Sequence, residues 1–152
     1  MSIEDDIAIL QQVPMLRQLG EGALRSLAIA SESYVMGTGE VLFAAGDTAD
    51  GAYVIQDGSM SLRPERGDEL VAGAGTLLGE AALLAQTRRP ATATAREPCS
   101  LLRISRSTFL KILDSYPDAA LRLRDVIAAR SDQWTRDVEN VRAALLRASK
   151  PG

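Results

Sequence analysis

The sequence predicts an α+β domain in which short antiparallel strands form a sandwich or a jelly-roll barrel, with helices before and after it. Three observations carry this. A chain of 152 residues, 46% of them hydrophobic, has room for one buried core. From Ser31 onward, strand-length apolar pieces alternate with Gly- and Asp-rich turn signals. Apolar residues at helical spacing are confined to the two ends.

In chain order, "IEDDIAILQQVPMLRQL" places Ile3, Ile7 and Leu10 on one helical face and ends that helix near Pro14. "GEGALRSLAIA" is a second short helix, with Leu24 and Leu27 on one side. "SESYVM", "EVLFAA", "GAYVIQDG", "SMSLRP" and "ELVAGAG" are strands, separated by "GTGE", "GDTAD", "DGS" and "ERGD", whose residues tolerate positive φ. "LLGEAALLAQTRRP" interrupts the β pattern, which resumes with "ATATA" and "CSLLRIS". After Ser105 the helical period returns in "STFLKILDSY", with Phe109, Leu110 and Leu113 on one side. Pro117 sits where a helix can begin, because the first helical position needs no N–H. The last helix is expected from about Asp118 to about Leu146. With no repeat, linker or low-complexity tract, residues 1–152 read as one domain, its β part over about 31–104 and its C-terminal helices over about 105–147.

Composition excludes several kinds of chemistry. Without histidine, Ser-His-Asp and Cys-His catalysis and every imidazole metal site are ruled out. One cysteine, Cys99, cannot hold an iron–sulfur cluster or a closed zinc site, and it offers no disulfide framework, which suits a reducing cytoplasm. A net charge of −3 argues against a duplex-binding face. No apolar run approaches the ~20 residues of a membrane span, and the acidic start "MSIEDDIAIL" is unlike a signal peptide.

"GEAALL" followed by "RRPATATA" resembles the phosphate-binding cassette of cyclic nucleotide-binding domains, in which a Gly-Glu-x-Ala-Leu run precedes Arg-x-Ala-Thr/Ser-x-x-Ala. Gly79, Glu80, Ala82, Leu83, Arg89, Ala91, Thr92 and Ala95 fall into that pattern, and "GTGEVLFAAGDTADGAYVIQDGSMSL" resembles the strand run that precedes it. The resemblance covers about the whole chain. It implies a jelly-roll barrel of about eight antiparallel strands, with short N-terminal helices, a cassette helix and two C-terminal helices. A joint pattern of this length is far more specific than a lone glycine motif.

The residue types suit the implied ligand. The start of a short helix offers N–H groups to an anion, so Gly79, Ala81 and Ala82 are expected to bring amides close to a cyclic phosphate. Arg89 supplies a guanidinium fork matched to two phosphate oxygens. The resemblance assigns Glu80 to the ribose 2′-hydroxyl. Two positions depart from the family pattern: Arg88 stands where proline is usual, and Pro90 where Ala, Ser or Thr is usual. Pro90, beside Ala91, has neither an N–H nor a hydroxyl, so one phosphate contact is lost and cyclic AMP is expected in preference to cyclic GMP.

By alignment with the family, Leu62 and Val71 are the expected base contacts. The spacing after Arg89 is similar to that of bacterial cyclic nucleotide-gated potassium-channel domains, which places a lid arginine at Arg130; the competing reading is a solvated arginine like Arg122, Arg124 and Arg136. Ile127, Trp134, Val138, Val141 and Leu145 form a seam compatible with a self-paired helix, so Trp134 is assigned to packing rather than to capping a base.

In Crp/Fnr-type transcription factors the sensor domain is followed by a helix-turn-helix module, and no room for one follows the expected last helix. The expectation is a stand-alone cytoplasmic sensor that is not an enzyme. It needs no resident cofactor, takes cyclic AMP as ligand, pairs as a homodimer through its last helix, and acts on a downstream protein. The alternative is a degenerate fold of the same family that serves as a dimerisation or interaction scaffold without nucleotide.

Overall fold

The computed structural model describes residues 2–126. Arg130, Trp134 and the seam through Leu145 lie outside the described residues.

Helix α1 (Ile3–Leu10) opens on a capping box, in which the Ser2 hydroxyl accepts from the Asp5 N–H and the Asp5 carboxylate accepts from the Ser2 N–H. It buries Ile7 and Leu10, while Ile3 stays 37% exposed. Pro14 opens a one-turn helix, α2 (Pro14–Arg17), which the sequence reading did not separate from α1. Helix α3 (Glu21–Ala30) buries Leu24 and Leu27 as expected.

Ten strands follow: β1 (Glu32–Met36), β2 (Val41–Phe43), β3 (Thr48–Ala49), β4 (Gly51–Asp57), β5 (Met60–Pro64), β6 (Leu70–Ala72), β7 (Leu77–Leu78), β8 (Thr87–Arg88), β9 (Ala91–Ala95) and β10 (Cys99–Ser105). A single 3-10 turn (Glu80–Leu83) lies between β7 and β8. The pairings are antiparallel and build two four-stranded sheets, ordered β1-β10-β4-β7 and β2-β9-β5-β6, with a small β3-β8 ribbon beside them. Successive strands β4 and β5 lie in different sheets, the jelly-roll way of closing edges. The chain makes that crossing at Gly58, whose φ is +92° and where a Cβ would lie 2.5 Å from the Pro98 carbonyl oxygen.

The β4–β10 pair divides the interior in two. Ala52 and Val54 of β4, with Leu102 and Ile104 of β10, face the helices and join Leu10, Leu16, Leu27 and Phe109 in one cluster. Ile55 and Leu101 face the space between the sheets, where Met60, Ala72, Ala93 and Ala95 complete a second. Helix α4 (Arg106–Ser115) is capped by the Ser105 hydroxyl, which accepts from the Thr108 N–H. It presents Phe109 and Ile112 to the helix-side cluster, whereas Leu110, expected on that face, is 43% exposed. Its inward stripe runs Phe109–Ile112 with the partly buried Leu113, and Leu110 lies about 100° round the helix from Phe109. Helix α5 spans 117–126 up to the end of the described residues and buries Ala119 and Leu123. No helix among the described residues is long and apolar enough to cross a membrane.

Candidate functional site

The segment between β7 and β9 turns at Gly79, which adopts the left-handed conformation (φ 86°, ψ 36°) that only glycine takes without strain. Glycine is required there a second way: a Cβ would collide with Nη1 of Arg89. Arg89 is held by its backbone, donating its N–H to the Asp47 carbonyl at 2.7 Å and accepting from the Gly46 N–H at 2.8 Å. Those bonds extend the β3–β8 ribbon and aim the side chain inward, behind the Gly79–Glu80 turn.

Arg89 is 5% exposed, the only charged residue buried to that degree among the described residues. Its guanidinium carbon lies 4.3 Å from the centre of the Phe43 ring and 5.8 Å from that of Tyr53. Its Nε and Nη1 are buried with no hydrogen-bond partner among the described residues. A buried cation with unmet donors is unfavourable by several kcal/mol unless something compensates. Burial pushes the Arg89 pKa below its ordinary value, opposed by Tyr53, Asp50 and Asp47. An anion would supply what is missing.

Gly79, Glu80, Ala81, Ala82, Arg89 and Pro90 come together around one pocket of about 280 Å³, completed by Ala49, Thr87 and Arg88. Glu80 is partly buried at the start of the turn and Ala81 is exposed beside it. The expectation for Ala82 needs correction. Its N–H donates to the Gly79 carbonyl at 3.0 Å and its methyl is fully buried, so Ala82 closes the turn and packs rather than offering an amide to a ligand. Pro90 lies exposed on the rim, and Ala91 is partly buried opposite Pro64. Arg88 points to the surface, donating to the Gly46 carbonyl at 3.0 Å. Thr92 accepts from the Ala45 N–H at 2.9 Å and lines an outer groove with Ser61, Arg63 and Thr94, away from Arg89.

Leu62 and Val71 do not share a face, which corrects the expected base wall. In the β5–β6 register Met60 opposes Ala72, Ser61 opposes Val71 and Leu62 opposes Leu70. Met60 and Ala72 are buried between the sheets, so strand alternation puts Leu62 and Leu70 on the inner face and Val71 on the outer one. Val71 is 55% exposed beside Ser61, and Leu70, 65% exposed, is the inner-face residue at the rim.

Sequence reasoning missed the aromatic floor and the charges around it. Tyr53 packs against Tyr34 and Phe43, each with ring centres 6.2 Å apart. Arg103 opposes Tyr53 across β10–β4 and bonds Asp50, with Glu32 at 3.6 Å. Partial burial works against the Arg103 charge, but Tyr53, Asp50 and Glu32 together hold its pKa above the ordinary value. The available signal was parity: in "GAYVIQDG" Tyr53 falls on the opposite face from Ala52 and Val54, and in "CSLLRIS" Arg103 falls opposite Leu102 and Ile104.

Comparison with known proteins agrees with this geometry. Residues 35–116 match the family model described as the cyclic nucleotide-binding domain. A cAMP-dependent protein kinase regulatory subunit of Yarrowia lipolytica is 33% identical over 95 residues, 62% of this chain and 25% of that protein. The chain spans a quarter or less of the first curated relatives it matches. Among solved structures, a cyclic nucleotide-binding-like protein from Brucella abortus superposes with a TM-score of 0.66 at 38% identity, covering 72% of this chain and 98% of the other. The regulatory domain of Toxoplasma gondii PKA, co-crystallised with cAMP, superposes with a TM-score of 0.66 at 29% identity, over 76% of this chain and 46% of the other. With the cassette in place behind Gly79 and the family model spanning both sheets, the chain belongs to the cyclic nucleotide-binding domain family.

Proposed function

We propose that the chain senses cyclic AMP, binding it in preference to cyclic GMP between Arg89, the Gly79–Glu80 turn and the Leu62–Leu70 wall, and relays binding through its C-terminal helix. The observation that carries this is the buried Arg89 guanidinium with two unmet donors immediately behind Gly79. A cyclic phosphate would meet those donors with two charge-assisted hydrogen bonds, and Glu80 would accept from the ribose hydroxyl. The cyclic AMP named for the kinase regulatory relatives supports the choice of nucleotide. Pro90 supports it too: it can donate neither an amide nor a hydroxyl, and the loss of one hydrogen bond to a charged group weakens binding by ~1.5–3 kcal/mol.

The relay has a physical route. Leu83, the last residue of the turn, is fully buried in the helix-side cluster with Phe109 and Leu123. Arg106, the first residue of α4, donates to the Ala82 and Ala49 carbonyls at 3.4 Å. A ligand that changes the turn therefore changes the seat of α4 and α5, and a ligand preferring one seat shifts the equilibrium between them. In this reading the lid is Arg130 and the pairing surface, for a second copy or a downstream protein, is the distal helix, both outside the described residues. The site works by binding, in the cytoplasm, without a resident cofactor.

Titration calorimetry with both nucleotides tests the reading. Cyclic AMP is expected to bind more tightly than cyclic GMP, and at 100 times its dissociation constant to stabilise the fold by ~2.7 kcal/mol. Tighter binding of cyclic GMP would overturn the preference. Absence of both heat and thermal shift at millimolar nucleotide would leave the scaffold.

A further inference from the structure

Pro90, on the rim of the Arg89 pocket, can donate neither an amide nor a hydroxyl, so any hydroxyl donor to a bound phosphate has to come from another residue. The β3–β8 register points to one. Thr48 opposes Arg88 and both are exposed, whereas Ala49 opposes Thr87 and is 1% exposed. Opposed residues of an antiparallel pair share a face and successive residues alternate, so the partly buried Thr87 turns inward with Ala49. The backbone bonds of Arg89 to Asp47 and Gly46 continue that pairing, which puts the buried Arg89 on the same inner face two residues on.

Thr87 and Arg89 line one cavity of about 280 Å³ together with Gly79, Glu80 and Ala81. Residues two apart on a strand are separated by ~6–7 Å. A phosphate accepting one hydrogen bond at each of two oxygens bridges a gap of that order. The Thr87 hydroxyl has no hydrogen-bond partner among the described residues, so it is free to donate. Nor does packing call for it, since a strand position facing the buried Ala49 suits valine equally well.

We infer that Thr87 is a ligand-binding residue: its hydroxyl donates to an oxygen of the phosphate held by Arg89, in place of the donor that Pro90 cannot supply. The inference rests on reading Arg89 as the group that receives the ligand's phosphate. It makes the ribbon face from Thr87 to Arg89, and not Arg89 alone, the side of the pocket that faces the anion.

The test uses the full chain as wild type, Thr87→Val, which removes the hydroxyl and keeps the shape, and Thr87→Ser, which keeps the hydroxyl. Without ligand, Thr87→Val should keep the wild-type urea midpoint, so that a binding loss reports on the ligand and not on the fold. Two probes are titrated into each protein: cyclic AMP by calorimetry, and millimolar inorganic phosphate by the amide NMR shifts of residues 79–81 and 87. Thr87→Val should weaken cyclic AMP about tenfold, as the loss of one hydrogen bond to a charged group does, and phosphate in the same proportion. Thr87→Ser should stay within about threefold of the wild type for both. Undiminished cyclic AMP binding in Thr87→Val overturns the inference and leaves the nucleotide reading standing. Equal losses in Thr87→Val and Thr87→Ser overturn it too, since the methyl and not the hydroxyl would then matter. If phosphate binding follows the expected order and the wild type takes no cyclic AMP, the hydroxyl assignment stands and the nucleotide reading falls. A wild type that binds neither probe overturns both.

Discussion

The helix-side cluster shuts Leu10, Leu16, Leu27 and Phe109 away from solvent, whereas the cluster between the sheets is rimmed by the partly buried Phe43, Tyr53 and Leu62 and admits Arg89. Both use the same two strands, β4 and β10, one face each. The first is filled largely with leucines and a phenylalanine from the described helices, the Glu80–Leu83 turn and β10, with Ala52 and Val54 from β4, as a core built for stability is. The second sets the small Ala72, Ala93 and Ala95 beside Ile55, Met60 and Leu101, and Nε and Nη1 of the neighbouring Arg89 have no hydrogen-bond partner among the described residues. The difference teaches that a single sheet can serve stability on one face and binding on the other, with the Gly79–Leu83 turn as the link, since Leu83 belongs to the first cluster and Gly79 touches Arg89 in the second.

Substitutions should separate the two faces. The largest effect is expected for Phe109→Ala, which empties the centre of the helix-side cluster and should destabilise the fold by ~3–5 kcal/mol in urea denaturation. A loss under ~1 kcal/mol would mean that this cluster is not the main source of stability. Gly79→Ala comes next, because alanine must hold a left-handed conformation against the Arg89 guanidinium. It should lower stability by ~1–3 kcal/mol and cyclic AMP affinity at least about tenfold, measured on the same sample. Smallest is the contrast between Leu70→Ala and Val71→Ala. The inner-face leucine should weaken binding by ~1 kcal/mol, about fivefold, and the outer-face valine should not change it. Equal effects would mean that the β6 register does not set the base wall.

Every strand of three or more residues was legible in the sequence, because alternation and flanking turn residues need only that length to declare themselves. The two-residue strands β3, β7 and β8 were not, since two residues carry no period, and β3 and β8 exist by pairing with each other across a gap of 37 or more residues in the chain. The assignment of Val71 failed for a related reason. In a three-residue strand the inner parity is set by the partner's register, here Leu62 against Leu70, which composition does not state. The cassette itself was legible because its chemistry is local: a glycine at the turn, an acid after it, and an arginine where the strand resumes. What surrounds it was not local. Phe43 and Tyr53 pack on Arg89 from strands in different sheets, Arg103 opposes Tyr53 from β10 and bonds Asp50, and only the folded sheets bring these together.

The most direct test of the account pairs two measurements on Arg89→Met, a substitution that keeps the length and removes the charge. Calorimetric titration should show cyclic AMP bound by the wild type and weakened at least about a hundredfold in the variant. Urea denaturation without nucleotide should place the variant within about 1 kcal/mol of the wild type or above it, because the guanidinium lost is buried with unmet donors at Nε and Nη1. Undiminished binding, or a variant destabilised by ~3–5 kcal/mol as when a satisfied buried pair is broken, would contradict the claim that this arginine is held in reserve for an anion.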